Sequence, residues 1–392
     1  MGGMSEWLDA SLVAEVRKTL LDNPGPVTTA AVAEAVQRTG RVLGSSALLE
    51  LVNRLSAQLS GAGPLQSVLE VADTTDVFVN GPREIFADVG TGPRLLDLSL
   101  GSEDEVRSLA VRLAALGGRR LDDSSPFVDV RLPDGVRMNA IVPPISGDHT
   151  TISFRVPRHA GFTFEQLRTG GFIPDDVHEI LSTAVRSRAN ILISGGTGTG
   201  KTVLLGALLG LVDSDHRIVI VEDSRELIVG HSHVVQLAAR QANVEGGGEV
   251  TLTDLVRNAL RMRPDRLVVG ECRGAEVRDM LTALNTGHEG GSATIHANTA
   301  EAVPSRLAAL GALANMSPQA VFSQFSTAID LVIHLRRVGA DRGITELAIP
   351  TRESSSGVTM EPVWGRPSPL SEGTFNRRAL SRFEAVLEQK AA

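Results

Sequence analysis

The feature that most constrains the fold of this chain is a glycine-rich motif near its centre. It matches the pattern G-x-x-x-x-G-K-[ST] in full and consists of Gly195, Gly196, Thr197, Gly198, Thr199, Gly200, Lys201 and Thr202. An apolar run at 190–193 precedes the motif, and a helix-forming segment begins near Lys201. A turn of this kind connects a buried strand to a helix. The motif, called the P-loop below, therefore predicts a layered α/β domain.

The P-loop also predicts nucleotide binding. Glycines let the backbone curl so that consecutive N–H groups, reinforced by the helix N-terminus, point at phosphate oxygens. Lys201 can then neutralise the β- and γ-phosphates, and the Thr202 hydroxyl can ligate Mg²⁺. Val203 follows directly and completes the predicted nucleotide-binding segment. The alternative is a glycine-rich turn that carries a lysine by chance.

Hydrolysis of a nucleotide also needs carboxylates that hold the metal shell and orient water, and two apolar strands end in acids. The strand at 266–271 ends in Glu271, as a Walker B strand does, although Gly270 stands where many such ATPases carry aspartate. We expect Glu271 to meet Mg²⁺ through water. The acids that follow the strand at 218–221 are Glu222, Asp223 and Glu226. The alternative for each carboxylate is a solvated loop acid.

Two histidines, His288 and His296, flank a short strand at 293–296. His296 ends a strand of the sheet that carries the P-loop, so it can donate to the γ-phosphate and report whether that group is present. The alternative is a histidine that is satisfied within the core.

The pattern along the 392 residues predicts two main domains with flanking segments. The predicted parts are a helical preface at 1–62, an α+β domain at 63–155, a linker at 156–172, a mostly parallel, doubly wound α/β domain at 173–350 and a loosely structured tail at 351–392. Strands are predicted in the second domain at 190–194, 217–221, 266–270 and 293–296. In the first domain we predict a helix at 103–116 and strands at 77–79, 84–87 and 127–130. A last helix is predicted at 378–389.

Composition narrows the function further. The formal net charge of −8 and the aromatic content of 3% argue against a dedicated nucleic-acid binder, which needs a basic groove with stacking aromatics. The single cysteine, Cys272, rules out an intramolecular disulfide and is expected to pack as a small apolar residue. Glu6 and Asp9 stand where a signal peptide carries positive charge, and no apolar run reaches a membrane span. We expect a cytoplasmic protein that meets membranes only through partners.

The combination of motifs resembles the type II/IV secretion ATPases, most closely the TadA/CpaF branch that powers Flp or tight-adherence pilus assembly. The likeness extends over 65–349 and is densest over 190–299. The stretches that carry it, besides the P-loop and the acids, are those at 259–266, 270–276 and 285–288. His288, in the last stretch, is grouped with the nucleotide-binding residues. The departures from the usual pattern are Ser224, Val203 and Cys272, and none of them removes a needed group.

The resemblance implies a RecA-like ATPase domain and residue roles that match position by position. Glu226 corresponds to the Asp-box glutamate that orients water, Glu271 to the Walker B glutamate and His296 to the His-box histidine. The arginines that match family arginines reaching the phosphates from the N-terminal domain are Arg131, Arg137 and Arg155. Arg240 and Arg273 match family arginines of uncertain role. They are grouped with the nucleotide-binding residues, as are Glu222 and Asp223.

The resemblance also implies ATP and Mg²⁺ as ligands, a homo-hexameric ring, and partners in an inner-membrane pilus or secretion platform, with no nucleic acid. Two other functions stay open on the sequence alone. One is a RecA-like motor that acts on DNA in conjugation or unwinding. The other is a scaffold that binds ATP with little turnover.

Overall fold

The computed structural model describes residues 15–16, 18–20, 29–41, 44, 48, 51, 61–71, 73–90, 92–157, 161–240, 242, 247–339, 341–352 and 357–391. The chain divides into two compact units, 1–158 and 159–392. No helix in these ranges is long and apolar enough to cross a membrane. Much of the predicted helical preface, including Leu8 and Leu12, lies outside the described residues.

The described part of the first unit contains a six-stranded antiparallel sheet in the order β3-β2-β1-β6-β5-β4. Its elements are α1 (Thr29–Arg38), α2 (Gln66–Leu69), β1 (Asp76–Val79), β2 (Ile85–Asp88), β3 (Pro93–Leu95), α3 (Glu103–Leu116), β4 (Phe127–Arg131), β5 (Arg137–Ile141) and β6 (Thr151–Arg155). The predicted helix at 103–116 is confirmed, and a capping box of Ser102 and Glu105 fixes where it begins. The predicted strands near 77, 85 and 127 are also found, whereas β3, β5 and β6 were not predicted.

The second unit carries the P-loop. Its elements are α4 (Phe164–Thr169), α5 (Asp175–Arg186), β7 (Ile191–Gly195), α6 (Lys201–Leu209), β8 (Ile218–Glu222), β9 (Val234–Ala238), α7 (Leu252–Ala259), β10 (Arg266–Cys272), α8 (Glu276–Leu284), β11 (Ser292–His296), α9 (Val303–Leu313), α10 (Pro318–Ala328), β12 (Leu331–Val338), β13 (Asp341–Arg352), β14 (Val358–Gly365), β15 (Thr374–Phe375) and α11 (Arg377–Ala391). The four predicted strands of this domain correspond to β7, β8, β10 and β11.

A single sheet of nine described strands organises this unit, in the order β15-β14-β13-β12-β7-β11-β10-β8-β9. The six strands from β12 to β9 pair in parallel, and β13, β14 and β15 add antiparallel neighbours at one edge. Residues of α4, α5, α6 and α11 share one apolar core with the sheet. Residues of α7, α8, α9 and α10 share a second core on the other face. The predicted doubly wound, mostly parallel fold is therefore confirmed.

Two predicted boundaries differ from the structure. The segment predicted as a linker contains α4, because Thr163 caps a turn whose Phe164 and Leu167 are buried in the core of the second unit. The segment predicted as a loose tail continues the sheet through β14 and β15. The helix predicted at 378–389 is confirmed as α11, in which Phe383 is fully buried and Leu387 nearly so. Periodicity alone missed β14, because only its last residues are buried.

A buried polar pair joins β7 to β12. His334 and Ser194 are 2% and 0% exposed, and Nδ1 of His334 lies 2.9 Å from Oγ of Ser194. The two residues face each other in the parallel register of the strands. Burial, together with the neighbouring Arg336, lowers the pKa of His334 to about 4. The imidazole is therefore neutral at pH 7.

This pair predicts a pH dependence of stability. The unfolded chain binds a proton at His334 below its ordinary pKa of about 6.5, whereas the folded chain stays neutral down to about pH 4. The free energy of unfolding should therefore fall as the pH drops through this window, by roughly 2 kcal/mol between pH 7 and pH 5 from this group. Urea unfolding across this range measures the slope.

The His334→Gln variant should lose this part of the slope, because glutamine does not titrate there. The control is His233→Gln, which removes an exposed histidine of the same unit and should keep the parental slope. Equal slopes for the parent and His334→Gln would contradict the prediction.

Candidate functional site

The P-loop connects the fully buried β7 to α6, as the sequence predicts. Gly200 adopts a φ of +96°, in the left-handed region, immediately before the helix. A Cβ atom at this position would also lie 2.9 Å from ring atoms of Phe172, so the loop requires glycine here for two reasons. Thr199 closes the turn by donating from Oγ1 to the Gly196 carbonyl at 2.9 Å. The curled backbone fits a bound polyphosphate.

Lys201 begins α6 and lies over the loop. Its ammonium group donates to the carbonyls of Gly195 and Gly196 at 3.0 and 2.9 Å. The pKa of Lys201 lies below its ordinary value. Burial lowers it most, the Glu271 carboxylate opposes this effect by raising it, and Arg273 lowers it further. The lysine of the P-loop is therefore within electrostatic reach of the acid that follows the predicted Walker B strand.

Glu271 lies near the end of β10 and binds Arg273. Its Oε2 accepts from Nε of Arg273 at 2.8 Å and lies 2.6 Å from Nη2. The same guanidinium places Nη1 3.9 Å from Oδ2 of Asp223, which follows β8. Arg273 therefore links the carboxylate near the end of β10 to one that directly follows β8. The resemblance to the family left the role of this arginine open.

Glu222 explains why glycine stands at position 270. A Cβ atom on Gly270 would lie 2.6 Å from Cγ of Glu222, so the glutamate of β8 occupies the space that a side chain on β10 would need. Glu222 is buried, and its Oε1 accepts from the backbone N–H groups of Glu226 and Leu227, both at 2.9 Å. It therefore anchors the turn that carries the exposed Glu226. This carboxylate was predicted to contact nucleotide, but its contacts make it a support for Glu226.

The two predicted histidines lie at opposite edges of the sheet. β11 pairs with β7 so that His296 faces Gly195, at the edge where the P-loop begins. Ser292 faces Ile191 at the other edge, and His288 precedes Ser292. The strand separates these edges by roughly 13 Å at about 3.3 Å per residue. The structure therefore does not bring His288 to the P-loop of its own chain.

Arg240 lies far along the sheet from the P-loop. It follows β9, which is four strands from β7, a separation of roughly 19 Å at about 4.8 Å per strand. Its Nε donates to the Gly248 carbonyl. The structure therefore does not bring Arg240 to the P-loop of its own chain. Most of the neighbouring stretch, 243–246, lies outside the described residues.

The three arginines predicted in the first unit form a row. Arg131 of β4 faces Arg137 of β5, which faces Arg155 of β6. Asp129 accepts from Nε and Nη2 of Arg137 at 2.9 and 2.6 Å. Like charges on directly opposed strand positions are unfavourable in themselves, and Asp129 offsets the charge of the central arginine.

Cys272 has the structural role that the sequence predicts. It is 1% exposed, and its Sγ lies 3.2 Å from Sδ of Met280. Burial raises the pKa of the thiol well above its ordinary value. The thiol is therefore poorly suited to act as a nucleophile.

The residues at this edge fit ATP with Mg²⁺. Within the described ranges, no group of three or more His, Cys, Asp and Glu side chains forms a metal site built from protein alone. A P-loop needs no such group, because its magnesium takes one hydroxyl, a single acid directly or through water, and oxygens of the phosphates. Thr202 follows Lys201 on α6, and Glu271 interacts electrostatically with that lysine.

Sequence comparison identifies related proteins. Residues 58–353 match the family described as type II/IV secretion system protein. A Mycobacterium tuberculosis H37Rv protein named for conjugal transfer is 44% identical over 351 residues, which are 88% of this chain and 99% of that protein. The conjugal transfer protein TrbB of Rhizobium radiobacter is 36% identical over 232 residues, covering 58% of this chain and 68% of the relative.

The fold is similar to two solved structures. The Legionella pneumophila ATPase DotB gives a TM-score of 0.51 at 22% identity, over 72% of this chain and 78% of that one. The pilus retraction motor PilT with bound ADP gives 0.51 at 21% identity, over 81% and 84%. These likenesses concern the fold. The family match covers most of the sequence, and the mycobacterial relative is aligned over nearly its whole length. The chain therefore belongs to the type II/IV secretion ATPase superfamily.

Proposed function

We propose that this protein is a Mg²⁺-dependent ATPase that powers type IV secretion or pilus assembly from the cytoplasmic face of the inner membrane. The observation that carries this proposal is the convergence of three groups at one sheet edge. Lys201 starts the helix after the P-loop, Glu271 acts electrostatically on it from β10, and His296 faces Gly195 from β11.

Each group has a distinct task in this proposal. Thr202 and, through water, Glu271 would hold Mg²⁺, which would supply positive charge against the phosphates. Lys201 leaves the loop carbonyls and donates to the β- and γ-phosphates. Glu226 orients the attacking water, and its turn is fixed by the buried Glu222. His296 donates to the γ-phosphate and thereby senses its presence.

The assembly and its partners are also part of the proposal. The subunits form a homo-hexameric ring that docks on platform proteins of the membrane. The resemblance to the TadA/CpaF branch supports Flp-type pilus assembly as the process, and the relatives named for conjugal transfer support a type IV secretion machine. The proposal also includes the role in binding phosphates that the resemblance implies for Arg131, Arg137 and Arg155.

Those relatives also give a reason to test a second function, a motor that acts directly on DNA. The net charge of −8 opposes it, since DNA affinity depends on many phosphate contacts with basic residues. ATP turnover stimulated by DNA, with a steep salt dependence, would favour the DNA motor. Turnover that is insensitive to DNA would favour the secretion ATPase.

Lys201→Ala removes the ammonium group of the P-loop. Loss of the ammonium group should weaken ATP binding and lower turnover by at least about tenfold, because phosphoryl transfer depends on charge stabilisation. Phosphate release and equilibrium nucleotide binding measure the two effects. Lys18→Ala, at an exposed position of the first unit, is the control and should keep the parental values. Parental turnover in Lys201→Ala would refute the proposed ATPase site.

The second prediction concerns Glu271→Gln, which keeps the shape of the side chain and removes its charge. We expect ATP binding to persist while single-turnover hydrolysis slows by at least about tenfold, because the metal shell loses a carboxylate. Glu179→Gln alters an exposed glutamate on α5 and serves as the control.

Hydrolysis at the parental rate in Glu271→Gln would remove Glu271 from the mechanism. Slow turnover in the parent itself, comparable with Glu271→Gln, would instead favour the scaffold that binds ATP with little hydrolysis.

A further inference from the structure

The strand on the other side of the P-loop carries two arginines that the sequence motifs do not include. β12 pairs in parallel with β7 so that Leu335 faces Gly195. Arg336 and Arg337 therefore continue β12 past the point where the P-loop begins. Both arginines are exposed.

The alternation of β12 directs these two arginines to opposite faces of the sheet. Ile333 and Leu335 lie in the apolar core that includes Leu204 and Leu208 of α6. Arg337 follows Leu335 by two residues, so it points to the face on which α6 packs. Arg336 points to the other face, where its Nη1 donates to the Pro367 carbonyl at 3.0 Å.

Arg337 also lies against the tip of the P-loop. Its Nη1 is 3.5 Å from the position that a Cβ atom on Gly198 would occupy. Its Nε donates to the neutral carbonyl of Gly339 at 3.0 Å, which orients the guanidinium without neutralising it. Arginine keeps its charge at all working pH values and presents a planar set of donors that matches phosphate oxygens.

Strand order separates Arg337 from the acids. Glu271 lies near the end of β10, His296 ends β11 and Glu226 follows β8. These three strands lie on one side of β7, whereas β12 lies on the other. We propose that Arg337 is a phosphate-binding residue of the P-loop site, which donates within its own chain from the side opposite to Glu271. The inference rests on the proposed ATPase function and adds a residue to that site.

The test compares Arg337→Ala with Arg336→Ala in the full-length protein. The two variants remove the same charge from adjacent residues, and only the first faces the P-loop. The probes are ADP and inorganic tripolyphosphate, each with Mg²⁺, and the measurement is the dissociation constant by calorimetry. Circular dichroism and the melting temperature establish that both variants are folded.

We expect Arg337→Ala to weaken the binding of both probes by about five- to tenfold, as for a lost charged hydrogen bond at an exposed site. Arg336→Ala should stay within about twofold of the parent. Arg337→Lys, which keeps the charge, should recover much of the affinity. Weaker binding of ADP with unchanged binding of tripolyphosphate would place the contact on the nucleoside and overturn the proposal.

Unchanged binding of both probes by Arg337→Ala would also overturn it. The binding of ADP by the parent and by Lys201→Ala tests the ATPase site independently of Arg337. A parent protein that binds ADP and loses it in Lys201→Ala retains the P-loop site whatever Arg337 does, whereas a parent that binds neither probe refutes the site itself.

Discussion

The parallel pairing of β7 with a neighbour on each side is the constraint on which the rest of the second unit depends. The register sets His296, Gly195 and Leu335 side by side at the carboxyl edge of three adjacent strands. The strands are almost wholly buried, and helices cover both faces, so a slip of one residue would exchange the two apolar cores. The positions of the residues at this edge are therefore set by the packing of the apolar residues within the strands.

The carboxylates at the site are held by an arginine or by backbone N–H groups. Arg273 holds Glu271 and lies near Asp223, while buried Glu222 is held by two backbone N–H groups. The contact of Glu222 with Gly270 shows how a glycine in the Walker B strand is compatible with an acid-rich edge, since the acid is supplied by the next strand along. Substitution at position 270 is thus coupled to the loop that carries Glu226.

The sequence predicted those parts of the site that depend on local pattern. The P-loop, the strands around it and the edge position of Glu271 and His296 follow from short motifs and from the rule that parallel strands share their carboxyl edge. The positions of His288 and Arg240 relative to the P-loop of their own chain could not be predicted, because a motif does not reveal that the length of a strand, or several strands, lies between. Arg337 and the pair of His334 with Ser194 could not be found, since they depend on β12 lying next to β7, a pairing across more than a hundred residues.

The position of α11 in the chain affects the order in which the core of the second unit can form during synthesis. α11 packs on β14 and α5, and it inserts Phe383 into the same core that supports the P-loop helix. A ribosome releases the P-loop long before it releases this phenylalanine, so a growing chain carries the nucleotide-binding motif on an incomplete core, with apolar surface of α5 open to solvent. Until α11 has been made and has packed, the helix that follows the P-loop therefore rests on a core that lacks Phe383.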